Sequence, residues 1–294
     1  MKVTKAVLPV AGLGTRFLPA SKSIPKEMAT VVDRPAIDYV VQEAIAAGIK
    51  QIILVTHGAK KAVEDYFDAN YELEDILEKK NKQEVLASIR NIIPADVSVV
   101  SVRQGKPLGL GHAVLCAQSV IGDEPFAVLL PDVLVDGDAA NNDLSQMIQR
   151  YEQSLYSQIM VEQVPDQLVN QYGIVDLSGA ALVPSQSAKM NAIVEKPAVD
   201  KAPSNLAVVG RYVLPARILT LLESTAPGAG GEIQLTDAIA ALMKEEIIEA
   251  YQMSGKTHDC GSKLGYLEAV LHYALKHPQL GADFKTLIHN IQTT

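Results

Sequence analysis

The feature that most constrains this chain is a short apolar run feeding a pair of glycines. Ala6-Val7-Leu8 leads into Val10-Ala11-Gly12-Leu13-Gly14-Thr15-Arg16-Phe17-Leu18-Pro19. An apolar run without alternation reads as a strand buried on both faces of a parallel sheet, so the chain opens as a first strand followed by a glycine loop. Two glycines one residue apart let the backbone turn sharply and come close to a ligand, because no Cβ intervenes and positive φ costs little. Successive amide N–H groups can then point at phosphate oxygens. Arg16 and Lys26, the second within Ile24-Pro25-Lys26-Glu27-Met28, place two cations near enough to neutralise a polyphosphate.

Two familiar glycine loops are excluded by single positions. A Walker loop needs Gly and Lys where Phe17 and Leu18 stand, and a dinucleotide fingerprint needs a third glycine where Phe17 stands. That second mismatch disfavours an NAD-dependent enzyme.

Composition narrows the class. The 294 residues are 48% hydrophobic with mean hydropathy +0.12, enough for a sizeable core in one large domain or two small ones. The net charge is −8 and no basic block occurs, so no nucleic-acid partner is expected, and a phosphate ligand must be held by a local site. Cys116 and Cys260 are the only cysteines, which leaves no disulfide framework or zinc knuckle. His258-Asp259-Cys260 lacks partner ligands at zinc spacing. The start, Met1-Lys2-Val3-Thr4-Lys5, carries no signal segment, and no window approaches ~18 apolar residues. A soluble, cytoplasmic protein without membrane attachment is expected.

Along the chain, residues 35–48 carry a helical stripe, Ile37, Val40, Val41, Ala44 and Ile45, with Pro at the start and Gly past the end. Residues 51–56 read as the next strand, completing a right-handed βαβ unit whose ligand should lie beyond the strands' carboxyl ends. Residues 60–90 are polar and helical, and the dense charge of 72–82 reads as a solvated face. Residues 97–103 alternate as a strand and deliver Gln104-Gly105-Lys106-Pro107-Leu108-Gly109. There a side-chain amide could read a base edge, or the glycines could simply turn the chain into a helix over 112–119.

Residues 126–130 form another buried strand, ended by Pro131-Asp132. A carboxylate at that end could hold Mg²⁺ between phosphates or merely cap a turn. Asp136 and Asp138 read as a turn around Gly137. From about 157 the pattern changes to strands separated by polar loops, followed by an amphipathic helix over 232–243. A segment over 255–266 then leads into a last helix, and residues after 276 read as an assembly or capping segment.

Taken in order, Gly12-Leu13-Gly14-Thr15-Arg16, Pro25-Lys26, Leu130-Pro131-Asp132, Tyr172-Gly173, Glu195-Lys196-Pro197 and Asp259-Cys260-Gly261 resemble the sugar-1-phosphate nucleotidylyltransferases, most closely the bacterial glucose-1-phosphate group. Ser21 stands where relatives often carry Thr, a conservative departure. The resemblance covers residues 6 to about 266. It implies an α/β fold, with a Rossmann-like, mixed but mostly parallel central sheet flanked by helices and a β-rich sugar-binding half. One domain of 1–294 is expected, divided into a nucleotide half (about 1–135), a sugar half (about 136–266) and C-terminal helices (about 267–294).

The resemblance further implies nucleotidyl transfer from UTP to glucose 1-phosphate, giving UDP-glucose and pyrophosphate with Mg²⁺ as cofactor. Arg16, Lys26 and Lys196 would be catalytic. Ala11, Gly12, Gly14, Thr15, Gln104 and Gly109 would bind the nucleotide. Gly173, Glu195 and Lys196 would bind the sugar and its phosphate, and Asp132 and Asp259 the metal. It also implies a homodimer or homotetramer. Two other readings stand beside it: the same transfer from dTTP, and a non-catalytic regulatory relative that binds a UDP-sugar.

Overall fold

The computed structural model describes residues 1–137 and 142–292. Strand β1 (Lys5–Pro9) runs into the glycine loop, whose short 3₁₀ turns reach a small ribbon, β2 (Thr30–Val31) and β3 (Arg34–Pro35), before α1 (Ala36–Ala46). β4 (Gln51–Thr56) follows, then α2 (Lys61–Phe67), α3 (Tyr71–Lys79), α4 (Gln83–Arg90) and β5 (Ser98–Arg103). A crossover through α5 (Leu110–Cys116) and α6 (Gln118–Ile121) leads back to β6 (Phe126–Leu129) and β7 (Val133–Asp136). After α7 (Asp143–Ser154) come β8 (Ser157–Gln163), β9 (Gly173–Asp176), β10 (Ser187–Lys189), β11 (Ala192–Glu195) and β12 (Leu206–Leu214). The chain ends with α8 (Arg217–Ser224), α9 (Leu235–Leu242), β13 (Ile248–Gln252), β14 (Lys256–Asp259), α10 (Lys263–Lys276) and α11 (Gly281–Gln292).

The main sheet has the order β10-β13-β8-β12-β6-β1-β4-β5, with the antiparallel β9–β11 pair attached to β12 through β9. β6, β1, β4 and β5 are mutually parallel, β13 is parallel to β8, and β12 runs antiparallel to both of its neighbours. The fold is thus mixed α/β with a mostly parallel sheet, as expected. Ala6, Leu8, Ile52 and Leu54 face a core layer shared with α1 and α7, and Val7, Ile53 and Val55 face one shared with α5, α8 and α9. Helices on both faces explain why these strands carry apolar runs instead of alternation; each such buried side chain contributes about 1.5–3 kcal/mol.

Several elements differ from the sequence expectation. The helix expected from 232 begins at Leu235, because the preceding residues are extended against the loop before α5: Ile233 N–H donates to Leu108 O at 2.7 Å, and Ile233 O accepts from Gly111 N–H at 2.9 Å. The expected helix over 112–119 is two helices, α5 and α6. Asp136 does not sit in a turn. It closes β7 and meets His272 at 2.7 Å and Lys276 at 2.5 Å on α10; Asp138 lies outside the described residues. The charge-dense helix α3 is mostly exposed, as expected, with Leu77 its buried contact. No helix among the described residues is long and apolar enough to cross a membrane.

Candidate active site

The parallel order places the end of β1 between the ends of β4 and β6, so the glycine loop and the Pro131-Asp132 turn share one crevice. Gly14 has φ +65°, in the left-handed region where glycine is favoured, and Ser21 Oγ fastens the loop by donating to Gly14 O at 2.7 Å. A Cβ on Gly14 would stand 3.3 Å from Lys26 Cβ, so the loop and the lysine pack closely. Lys26 is anchored from behind. Its neighbour Glu27 is buried and paired with buried Lys60 at 2.6 Å; burial raises the Glu27 pKa against the lowering effect of Lys60.

A cavity of about 450 Å³ opens over this loop. Ala11, Gly12, Gly14 and Thr15 line it on one side, Gln104 and Gly109 on another, and Lys26 and Asp132 at its floor. The six expected nucleotide-binding residues therefore face one space. α5 returns from the far strand β5 and packs on β1 and β4, which brings the 104–109 loop back toward the glycines.

A second cavity of about 190 Å³ adjoins the first, with Leu130 and Asp132 common to both walls. Arg16, Glu162, Tyr172, Thr257 and Asp259 line it. Arg16 thus faces the smaller cavity, whereas Lys26 faces the larger. Asp259 arrives through the β14–β7 ribbon, whose antiparallel register sets Asp259 opposite Val133, next to Asp132.

Asp132 stands where the two cavities meet. Burial alone would raise its pKa, but Lys26, by charge and by a 2.5 Å hydrogen bond, together with a backbone hydrogen bond and the charge of Arg16, holds it below the usual carboxylate range. Its turn is clamped by Arg211, a fully buried residue of β12. The guanidinium donates to Leu130 O at 3.1 Å and to Val133 O at 2.7 Å, either side of Asp132, while Glu43 pairs with it at 2.7 Å. Carbonyls and carboxylate together satisfy the buried charge, the condition for tolerating one.

Gly261 shows how closely the charged groups converge. A methyl there would lie 2.7 Å from Arg16 Nη2, 2.8 Å from Asp259 Oδ1 and 3.1 Å from Asp132 Oδ2. Two hard carboxylate oxygens around one small gap, beside a phosphate-sized cavity, suit Mg²⁺, which keeps waters and takes the rest of its ligands from phosphate. Among the described residues no group of three or more His, Cys, Asp or Glu side chains gathers for a metal, so the protein would supply the two carboxylates alone.

The expected sugar-binding residues sit beside the smaller cavity, outside its lining. Glu195 Oε2 accepts from Thr236 Oγ1 at 2.8 Å, and Glu195 Oε1 lies 3.3 Å from Lys196 Nζ. A Cβ on Gly173 would come within 3.3 Å of Glu195 Oε2, so glycine leaves room for that carboxylate. Lys196 has φ +44° and donates its N–H to Tyr172 O at 2.9 Å. A lysine held in the left-handed region costs of order 1–3 kcal/mol and persists where surroundings dictate it, a pattern that concentrates at functional sites.

Sequence reasoning missed four polar cavity residues. Glu232 lines the larger space, and Glu162, Thr257 and Gln171 the smaller. Glu162 accepts from Thr257 Oγ1 at 2.6 Å, and burial, only partly offset by that bond, raises its pKa. Glu162 lies near the end of β8, a strand-end carboxylate being the available signal; nothing local marks the others.

A crevice of this kind, with a glycine loop, paired cations and converging carboxylates at the strand ends of an α/β sheet, is the layout of a nucleotide-binding protein. The model of the nucleotidyl transferase family matches residues 5–276, and the chain belongs to that family. It is 56% identical over 287 residues to the UTP–glucose-1-phosphate uridylyltransferase of Escherichia coli K12, covering 97% of this chain and 94% of that one. The Haemophilus influenzae Rd protein of the same name is 54% identical, covering 99% of each chain. Among solved structures, a UTP-bound UGPase from Acinetobacter baumannii superposes with TM-score 0.91 at 66% identity, over 97% of this chain and 98% of that one. A UDP-glucose pyrophosphorylase complexed with UDP-glucose does so with TM-score 0.84 at 43% identity, over 94% and 100%.

Proposed function

We propose that this protein transfers a uridylyl group from UTP to glucose 1-phosphate, releasing pyrophosphate and UDP-glucose. The observation that carries this reading is the pair of adjoining cavities sharing Asp132, one over the glycine loop and one lined by Arg16, Glu162 and Asp259. Such a layout seats a nucleotide and a sugar phosphate side by side for in-line attack of the sugar phosphate on the α-phosphorus. The close relatives carry the name of that reaction.

Both reactants are anions, so the chain's tasks are alignment and charge neutralisation, and no covalent nucleophile is needed. Loop amides from Ala11 to Thr15 hold the triphosphate, Lys26 and Arg16 flank the reacting phosphates, and Lys196 steadies the sugar's phosphate while Glu195 receives its hydroxyls. Mg²⁺, held by Asp132 and Asp259, would neutralise charge on the leaving pyrophosphate. Lys26 is paired with Asp132, so phosphate binding must draw the lysine off or share it.

The substrates are soluble metabolites, in keeping with a cytoplasmic enzyme. Leu264, Leu267, Leu271 and Leu275 form an exposed stripe on α10. We propose a homodimer or homotetramer through it, to be read by light scattering.

The test is pyrophosphate release with glucose 1-phosphate and Mg²⁺, supplying UTP, dTTP, CTP and ATP in turn, with an EDTA control. EDTA-sensitive release with UTP above dTTP is expected. Release with dTTP above UTP makes it the thymidylyl enzyme. No release from folded protein that binds UDP-glucose replaces the enzymatic reading with the regulatory one.

A further inference from the structure

The base end of the larger cavity contains a polar arrangement that the reaction itself does not need. Gln104 Nε2 lies 3.1 Å from Gly109 O and 3.0 Å from Nδ1 of His112, in the first turn of α5. A main-chain carbonyl can only accept, so the end of the amide facing Gly109 is its NH₂. That group has two hydrogens, and the second points at His112 Nδ1. Nδ1 must then be the unprotonated ring nitrogen, with the ring proton on Nε2. Cys116, one turn further on, sets its Sγ 3.9 Å from both ring nitrogens. With its NH₂ fully used, Gln104 has Oε1 left, which has no hydrogen-bond partner among the described residues, on a side chain that lines the cavity.

We propose that His112 is a specificity-determining residue acting through Gln104: its neutral Nδ1 fixes the amide with the acceptor oxygen turned to the base. The proposal rests on the nucleotide reading above and deepens it. An acceptor at this point takes a pyrimidine whose ring N3 carries hydrogen, which uracil and thymine do. Cytosine presents a lone pair there and is rejected. The second fixed point is equally rigid. Gly109 O also accepts from Ala113 N–H of α5 at 3.1 Å, so its carbonyl is held by the helix and cannot swing to follow a rotated amide. Turning the amide over therefore loses the bond to Gly109 O, and keeps one to His112 only if the ring also changes tautomer and moves its proton to Nδ1, whereas without His112 the cost is the Gly109 bond alone.

The roles separate by steady-state kinetics with UTP, dTTP and CTP on wild type, His112→Leu, His112→Ala and His112→Asn, with Gln104→Leu as the reference. In the leucine and alanine variants the UTP/CTP ratio of kcat/KM should narrow by about tenfold, mainly through KM for UTP, with dTTP following UTP. Asparagine, which can place an amide oxygen near the Nδ1 position, should restore most of the ratio. Loss of folded protein alone lowers all three nucleotides by one factor. A wild-type ratio in the leucine and alanine variants, or an asparagine variant as unselective as leucine, overturns the proposal. A wild-type ratio in Gln104→Leu instead shows that the base is not read at Gln104, and absence of UTP turnover in the wild type removes the functional reading itself.

Discussion

Replacing Gly261 by alanine is the sharpest test of the carboxylate cradle. The added methyl would stand 2.7 Å from Arg16 Nη2, 2.8 Å from Asp259 Oδ1 and 3.1 Å from Asp132 Oδ2. Non-bonded carbon contacts relax near roughly 3.5 Å, so each neighbour must move by several tenths of an ångström. Arg16 has a long stem and can swing aside. The aspartates have short stems, Asp132 is held by Lys26, and Gly261 N–H itself donates to Asp259 Oδ1 at 2.8 Å, so relief comes by rotating the carboxylates apart. Misplacing reacting or metal-holding groups by up to ~1 Å costs as much as ~10²-fold in rate. The expected result is a 10- to 100-fold lower kcat with a higher Mg²⁺ concentration at half-maximal rate, measured by pyrophosphate release over a Mg²⁺ titration. Gly261 does not lie in the left-handed region, so the thermal midpoint should fall by only about 2–4 °C. Wild-type turnover at every Mg²⁺ concentration would refute the assignment of Asp132 and Asp259 to one metal.

Three further outcomes follow from the same geometry. Lys26→Met removes the charge and hydrogen bond that do most to hold Asp132 down, leaving burial opposed only by a backbone hydrogen bond and Arg16; kcat should drop ~10²-fold and the acid limb of the rate profile should move to higher pH, and an unmoved limb counts against the pair. Gly210→Ala, at φ +73° with a Cβ 2.8 Å from Leu130 Cγ, should cost about 2–4 kcal/mol and lower the calorimetric midpoint by several degrees; no shift would contradict the close packing of Leu130 on Gly210. His258 is buried with neither ring nitrogen partnered among the described residues, and burial, then the charges of His272 and Lys256, lower its pKa below 6.5. Its folded form resists protonation, so the stability it confers is complete above pH 6.5 and is lost as pH falls through the lowered value. Between pH 7.5 and 5 the wild-type midpoint should therefore drop more than that of His258→Leu, and parallel curves would exclude His258 as the cause.

Much of this protein is legible locally. β1, β4, β6 and the glycine loop follow from apolar runs and adjacent glycines, and β5 from alternation, because burial, pleat and positive φ leave marks within a few residues of sequence. Asp132 is likewise visible at the end of a strand. The residues read by themselves therefore determined the α/β class, the crevice at the strand ends and one of its carboxylates, Asp132, while Asp259 was named through the family resemblance alone. Only the tertiary structure decided that Asp259 stands beside Asp132, since β7 and β14 are four-residue strands that pair across more than a hundred residues and show too little alternation to be seen. It alone set Arg211 of β12 against the carbonyls flanking Asp132 and divided Lys26 and Arg16 between the cavities. Sequence periodicity reports which face of an element is buried, whereas convergence of charges depends on strand order and register, which are settled by packing among distant elements.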